Sequence, residues 1–180
     1  MIGLGSLGNR IAVVKAEVRM RNLVVATVAL VVGLSAGLAG AGEINPAFFG
    51  TWKLNTEKSR ADTGQTPKSQ TVTLAPRGDR FVVTFEVDNG DGTKTRTTRT
   101  AALDGKDVVV EGISNPAARE AYTSIDARTI QRVVKLNGRI RNTLKLTVAP
   151  DGKTVATIST GTGADGNPFH ATSVLDKQEP

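Results

Sequence analysis

The chain has 180 residues, 39% of them apolar but only 4% aromatic, with 23 lysines and arginines against 17 acids and no cysteine. The absence of cysteine excludes disulfides, zinc-thiolate clusters and a lipid-modified cysteine behind a leader. The shortage of aromatics calls for a lean core of Val, Leu, Ile and Thr.

Residues 1–41 read apart from the rest. Met20-Arg21-Asn22 is a short basic start, residues 23–34 are an unbroken run of apolar and small side chains, and residues 35–42 are almost all small. That is the layout of a secretory signal peptide, with Ala39-Gly40-Ala41 as its cleavage site. Arg10, Lys15 and Arg19 lie ahead of it. They are either an extended basic region or the product of a start codon placed upstream of the true one; the second is favoured. An uncleaved anchor is the rival reading, because residues 23–41 number 19 and a membrane crossing takes about 20. The dense apolar part is only 12 residues, within the range of about 7 to 15 of a signal core. The expectation is therefore a periplasmic or secreted protein with no stable membrane span after cleavage. Four basic residues and one acid leave with the leader, so 19 stand against 16 and the mature charge falls to +3. The remaining 139 residues, 42–180, suit one domain.

Within 42–180 the turn signals set the organisation. Asn89-Gly90-Asp91-Gly92, Asp104-Gly105, Asn137-Gly138, Asp151-Gly152 and Asp165-Gly166 supply the positive φ of tight hairpins. Gly138, Gly152 and Gly166 follow one another at intervals of 14, too short for intervening helices. The first strand is expected over 51–55, followed by an irregular loop over 57–68 because of Gly64 and Pro67. Next come 70–75 and 80–87, the latter with Phe81, Val83, Phe85 and Val87 on one face. Segment 93–100 alternates Thr with Lys94, Arg96 and Arg99 and contains no large apolar side chain. It reads as a solvated edge or the lining of a wet cavity. Further strands are expected over 107–111, 120–125 (around Tyr122), 129–136 and 139–149. In the last of these Ile140, Leu144, Leu146 and Val148 share a face. Strands 153–161 and 169–177 complete a set of nine to ten. So many strands joined by local hairpins predict closure into a single antiparallel up-and-down β-barrel, which also removes exposed sheet edges. A sandwich is the alternative.

Gly50-Thr51-Trp52 at the first strand of such a meander resembles the lipocalins and the wider calycin group. The fuller set is Phe49-Gly50-Thr51-Trp52-Lys53-Leu54-Asn55, Lys58-Ser59, Pro67-Lys68-Ser69-Gln70, Asp104-Gly105-Lys106-Asp107, Asp151-Gly152-Lys153-Thr154 and Asn167-Pro168-Phe169. It resembles a group of small exported bacterial proteins with a lipocalin-like barrel and no assigned activity. The resemblance implies a barrel of about 8 to 10 strands, a small apolar or amphiphilic ligand inside it, and no cofactor. It also implies that Trp52 closes one end of the barrel beneath a basic residue of the last strand, for which Lys177 is the candidate. The few aromatics and many threonines imply a narrower or wetter cavity than that of a hydrophobe carrier.

The candidate cavity residues, by alternation, are Phe81, Val83, Phe85, Leu144 and Leu146, with Trp52 either a ligand contact or a structural plug. His170 is the only histidine, so a metal site would need carboxylates for its other ligands. Ser59, Ser159 and Ser173 lack a nucleophile-elbow motif, so no catalytic residue is assigned and the expected protein is not an enzyme. Lys94, Arg96, Arg99, Arg128, Arg132, Arg139 and Arg141 could gather as a surface for an anionic envelope polymer or a partner, or simply be solvated strand faces. Base-stacking aromatics are missing from these strands, which argues against nucleic acid. Oligomeric state is left open.

Overall fold

The computed structural model describes residues 42–62, 66–163 and 165–179; the leader expected over 1–41 lies outside them. Among these residues a 3-10 turn at Pro46–Phe48 precedes ten strands. They are β1 (Gly50–Ala61), β2 (Ser69–Arg77), β3 (Arg80–Asp88), β4 (Lys94–Ala101), β5 (Val108–Val109), β6 (Ala118–Asp126), β7 (Thr129–Leu136), β8 (Arg139–Val148), β9 (Thr154–Thr162) and β10 (Pro168–Gln178). They form one sheet in the order β4-β3-β2-β1-β10-β9-β8-β7-β6-β5, and every neighbouring pair is antiparallel. The two edges, β4 and β5, come together where Thr98 and Glu111 exchange backbone hydrogen bonds of 3.0 and 2.9 Å. The chain is thus a nearly closed, antiparallel, up-and-down barrel, as the hairpin spacing predicts. No helix among the described residues is long and apolar enough to cross a membrane.

Local chemistry sets these connections. Asn137 and Gly138 have φ of 51° and 74°, the left-handed pair that a two-residue hairpin needs to match strand twist. Aspartates accept from backbone N–H groups two residues on in the turns at Asp91, Asp104, Asp126, Asp151 and Asp165. Four of the five are Asp-Gly turns, and the fifth is Asp126-Ala127-Arg128.

Two expectations are corrected. The segment 57–68 is not all loop, because β1 runs on to Ala61 past a register shift between Asn55 and Arg60. The Ser59 hydroxyl fills that irregularity, donating to the Asn55 carbonyl at 2.7 Å and accepting from Val174 N at 3.1 Å. Ile140 does not share the inner face of β8; it is 61% exposed. Val134 pairs with Asn142 but Lys135 pairs with Ile140, so Arg141 is an extra residue. One such insertion reverses the alternation on its far side and turns Ile140 outward.

The barrel has two unlike ends. At one lie the connections β2–β3, β6–β7 and β8–β9 and the 3-10 turn, whose cap residue Asn45 donates through its side chain to the Ala127 carbonyl at 2.7 Å. Phe48, Trp52, Phe81, Tyr122, Val148 and Leu175 are buried there in a continuous core. Phe81 and Tyr122 pack edge to face with ring centroids 5.4 Å apart. The other end carries the β1–β2, β3–β4, β7–β8 and β9–β10 connections and is less filled.

Candidate ligand cavity

The inward residues of nearly every strand line one cavity of about 570 Å³. Such a volume lies within the range of about 300 to 1,000 Å³ of small-molecule sites. Phe81, Val83 and Phe85 reach it from β3 and Leu144 and Leu146 from β8, so the five residues singled out by alternation line it, and Trp52 reaches it from β1. Ile113, Val87, Val134 and Phe169 line it as well.

Trp52 is 1% exposed. Its indole N–H donates to the Phe48 carbonyl at 2.8 Å, and the Lys177 ammonium stands 5.0 Å from its ring centroid. Lys177 Nζ also reaches the Ala47 carbonyl at 3.4 Å. Trp52 therefore joins the 3-10 turn to the barrel wall, and Lys177 covers it from β10.

The charged layer across the interior was not anticipated. Arg99 of β4, Glu120 of β6 and Arg132 of β7 all point inward, and among the cavity-lining residues they are the charged ones. Arg99 and Arg132 each bind Glu120 in fork fashion. Their Nε atoms donate to Oε2 at 2.7 and 2.9 Å, and both Nη2 atoms donate to Oε1. The Tyr122 hydroxyl also donates to Oε2. Phe85 lies beneath both guanidiniums, 4.4 Å from Arg99 Cζ and 4.7 Å from Arg132 Cζ. A planar, delocalised cation suits that ring face.

Burial alone would raise the Glu120 carboxyl. The charge of Arg132 and the hydrogen bonds from Arg99 and Arg132 outweigh it and hold the group at about 2. Burial, the dominant cause, pushes the Tyr122 phenol well above its ordinary value, so it remains a neutral donor. The layer carries two cations and one anion, an excess of one positive charge in a mostly apolar chamber.

Two of the seven basic residues read as a possible anion-binding surface are thus inside the barrel. Two others are matched outside: Arg96 pairs with Glu86 at 3.0 Å and Lys94 with Asp88 at 3.7 Å. Segment β4 proves to be both things the sequence allowed, a sheet edge whose Thr97 and Arg99 line the cavity. His170 is exposed on β10, and no group of three metal-ligating side chains occurs among the described residues.

No protein-family model matches the chain, and no curated protein matches it. Among solved structures, zebrafish ileal bile acid-binding protein complexed with cholic acid is similar at a TM-score of 0.49 and 12% identity, over 73% of this chain and 99% of that one.

Proposed function

We propose that this protein is a non-enzymatic binding protein that takes a small, elongated amphiphile into the open half of its barrel. The observation that carries this reading is the cavity of about 570 Å³, apolar over most of its wall and crossed by one buried polar layer. A well-formed apolar pocket with a few convergent polar groups is the usual form of a small-molecule site. The composition of residues 20–41 supports a place outside the cytoplasm, where such a carrier would meet amphiphiles released from membranes.

The test is displacement of a fluorescent apolar probe by straight-chain amphiphiles, together with native mass spectrometry of protein purified from its own host. Saturable one-to-one displacement supports the reading. Failure of the probe and of every amphiphile to bind, with no co-purifying molecule, rules it out. A reading based on the outer basic faces is weaker, because Arg99 and Arg132 are absent from that surface and Lys94 and Arg96 already have acidic partners.

A further inference from the structure

We infer that the ligand is a singly charged anion whose head group sits on Nη1 of Arg132, deep in the barrel, with its apolar tail running to the open end. This rests on the reading of the barrel as an amphiphile site and adds the charge, the contact atom and the direction of entry.

The contact atom follows from counting donors around Glu120. Its two oxygens already accept from Nε and Nη2 of both arginines and from the Tyr122 hydroxyl. Arg99 spends its last nitrogen as well, because Nη1 donates to Thr97 Oγ1 at 3.0 Å. Nη1 of Arg132 has no acceptor among the described residues. Every fully buried side-chain nitrogen and oxygen among those residues does have a partner, so this nitrogen must be accessible, and its side chain lines the cavity. Arg132 is also the less enclosed arginine, with 13% of its side chain exposed against 3% for Arg99.

The charge follows from the same arrangement. Two guanidiniums face one carboxylate, so one positive charge is uncompensated where the dielectric is low. A monoanion neutralises it, whereas a second negative charge would have no cation left to meet. The direction follows from packing. On one side of the charged layer Trp52, Phe81 and Tyr122 are 1%, 2% and 4% exposed and close the cavity off from solvent, so that no chain can enter from there. On the other, Val87, Ile113 and Phe169 line the cavity and are only partly covered or exposed.

The experiment compares dodecanoate, its neutral counterpart dodecanol, and dodecyl phosphate at pH 8 by probe displacement and calorimetry on the intact barrel. Dodecanoate is expected to bind about tenfold or more tighter than dodecanol, in keeping with a charged hydrogen bond in a dry site. That preference should persist in 0.5 M salt, which screens exposed contacts. Arg132→Gln is expected to bring the ratio to within about threefold, and Lys145→Gln, on the outer face of β8, to leave it unchanged. Dodecyl phosphate is expected to bind no tighter than dodecanoate. Equal binding of dodecanoate and dodecanol to the unaltered protein overturns the inference while leaving the amphiphile site standing, and needs no variant to fold. Loss of the preference in salt moves the anion to the surface and also overturns it, as does a tenfold advantage for the phosphate. Binding of none of the three removes the amphiphile site itself.

Discussion

Glu120 is the residue on which the interior depends, because it is the only anion among two inward guanidiniums. Replacing it by Gln leaves two buried cations without a counter-charge, and breaking a buried pair in this way costs roughly 3–5 kcal/mol. Its acidity gives a second handle. A carboxyl held at about 2 in the folded chain and near 4.5 when free stabilises the fold fully above the higher value and progressively less as pH falls towards the lower one. The difference in urea stability between the parent and Glu120→Gln is therefore expected to be about 3 kcal/mol at pH 7 and to shrink towards zero between pH 5 and 2. A gap that stays constant over that range would show that the carboxylate charge is not what holds the arginines. Trp52 gives a simpler case. Trp52→Phe keeps a ring against Lys177 but leaves the Phe48 carbonyl without its donor in a buried place. A loss of about 1–3 kcal/mol in thermal or urea unfolding is expected.

At the scale of the element, the seam between β4 and β5 is the weak join of the barrel. β5 has only two residues, and closure relies on the Thr98–Glu111 exchange just before Gly112. Gly112 has φ of 81°, and a Cβ there would collide with the Arg96 carbonyl of the facing edge. Gly78 in the β2–β3 turn has a similar φ of 62° but nothing near its missing Cβ. Gly78→Ala should therefore cost only the backbone term of about 1–2 kcal/mol. Gly112→Ala should cost more and should also speed amide exchange at Thr98 and Glu111. Equal losses for the two variants would mean that the seam tolerates opening.

The same scale shows what the sequence made legible. Strand β3 was plain because its apolar side chains alternate without interruption. β8 was misread at Ile140 because a one-residue bulge leaves no mark in a polar-apolar pattern. The charged layer was missed because arginine and glutamate are expected in water. Their parity nevertheless pointed inward: Arg132 shares its face with Ile130 and Val134, Glu120 with Ala118 and Tyr122, and Arg99 with Ala101. What no strand pattern contains is the partner, since Arg99 lies on the edge strand β4 and Glu120 on β6, beside the opposite edge, and they meet only when the sheet closes.

For the whole molecule, the division into a packed half and a hollow half implies unequal stability along the same strands. Val148, Val155 and Leu175 are 1%, 4% and 6% exposed and belong to the continuous core around Trp52. Val87, Val134 and Phe169 border the cavity outside that core and are only half-buried, which leaves their backbone less firmly held closed. Local opening follows contact density, so hydrogen exchange in the empty barrel should be slowest around the first set and at least tenfold faster around the second. A ligand in the hollow half supplies the missing contacts there and binds only the closed form, so it slows exchange where opening would release it. Saturating dodecanoate is expected to narrow the difference between the two sets, chiefly by protecting the backbone at Val87, Val134 and Phe169. Protection confined to the Trp52 end would place the ligand on the wrong side of the charged layer and reverse the assigned orientation. Uniform protection of both sets would mean that the barrel opens as one unit, and that its two ends differ in packing but not in local stability.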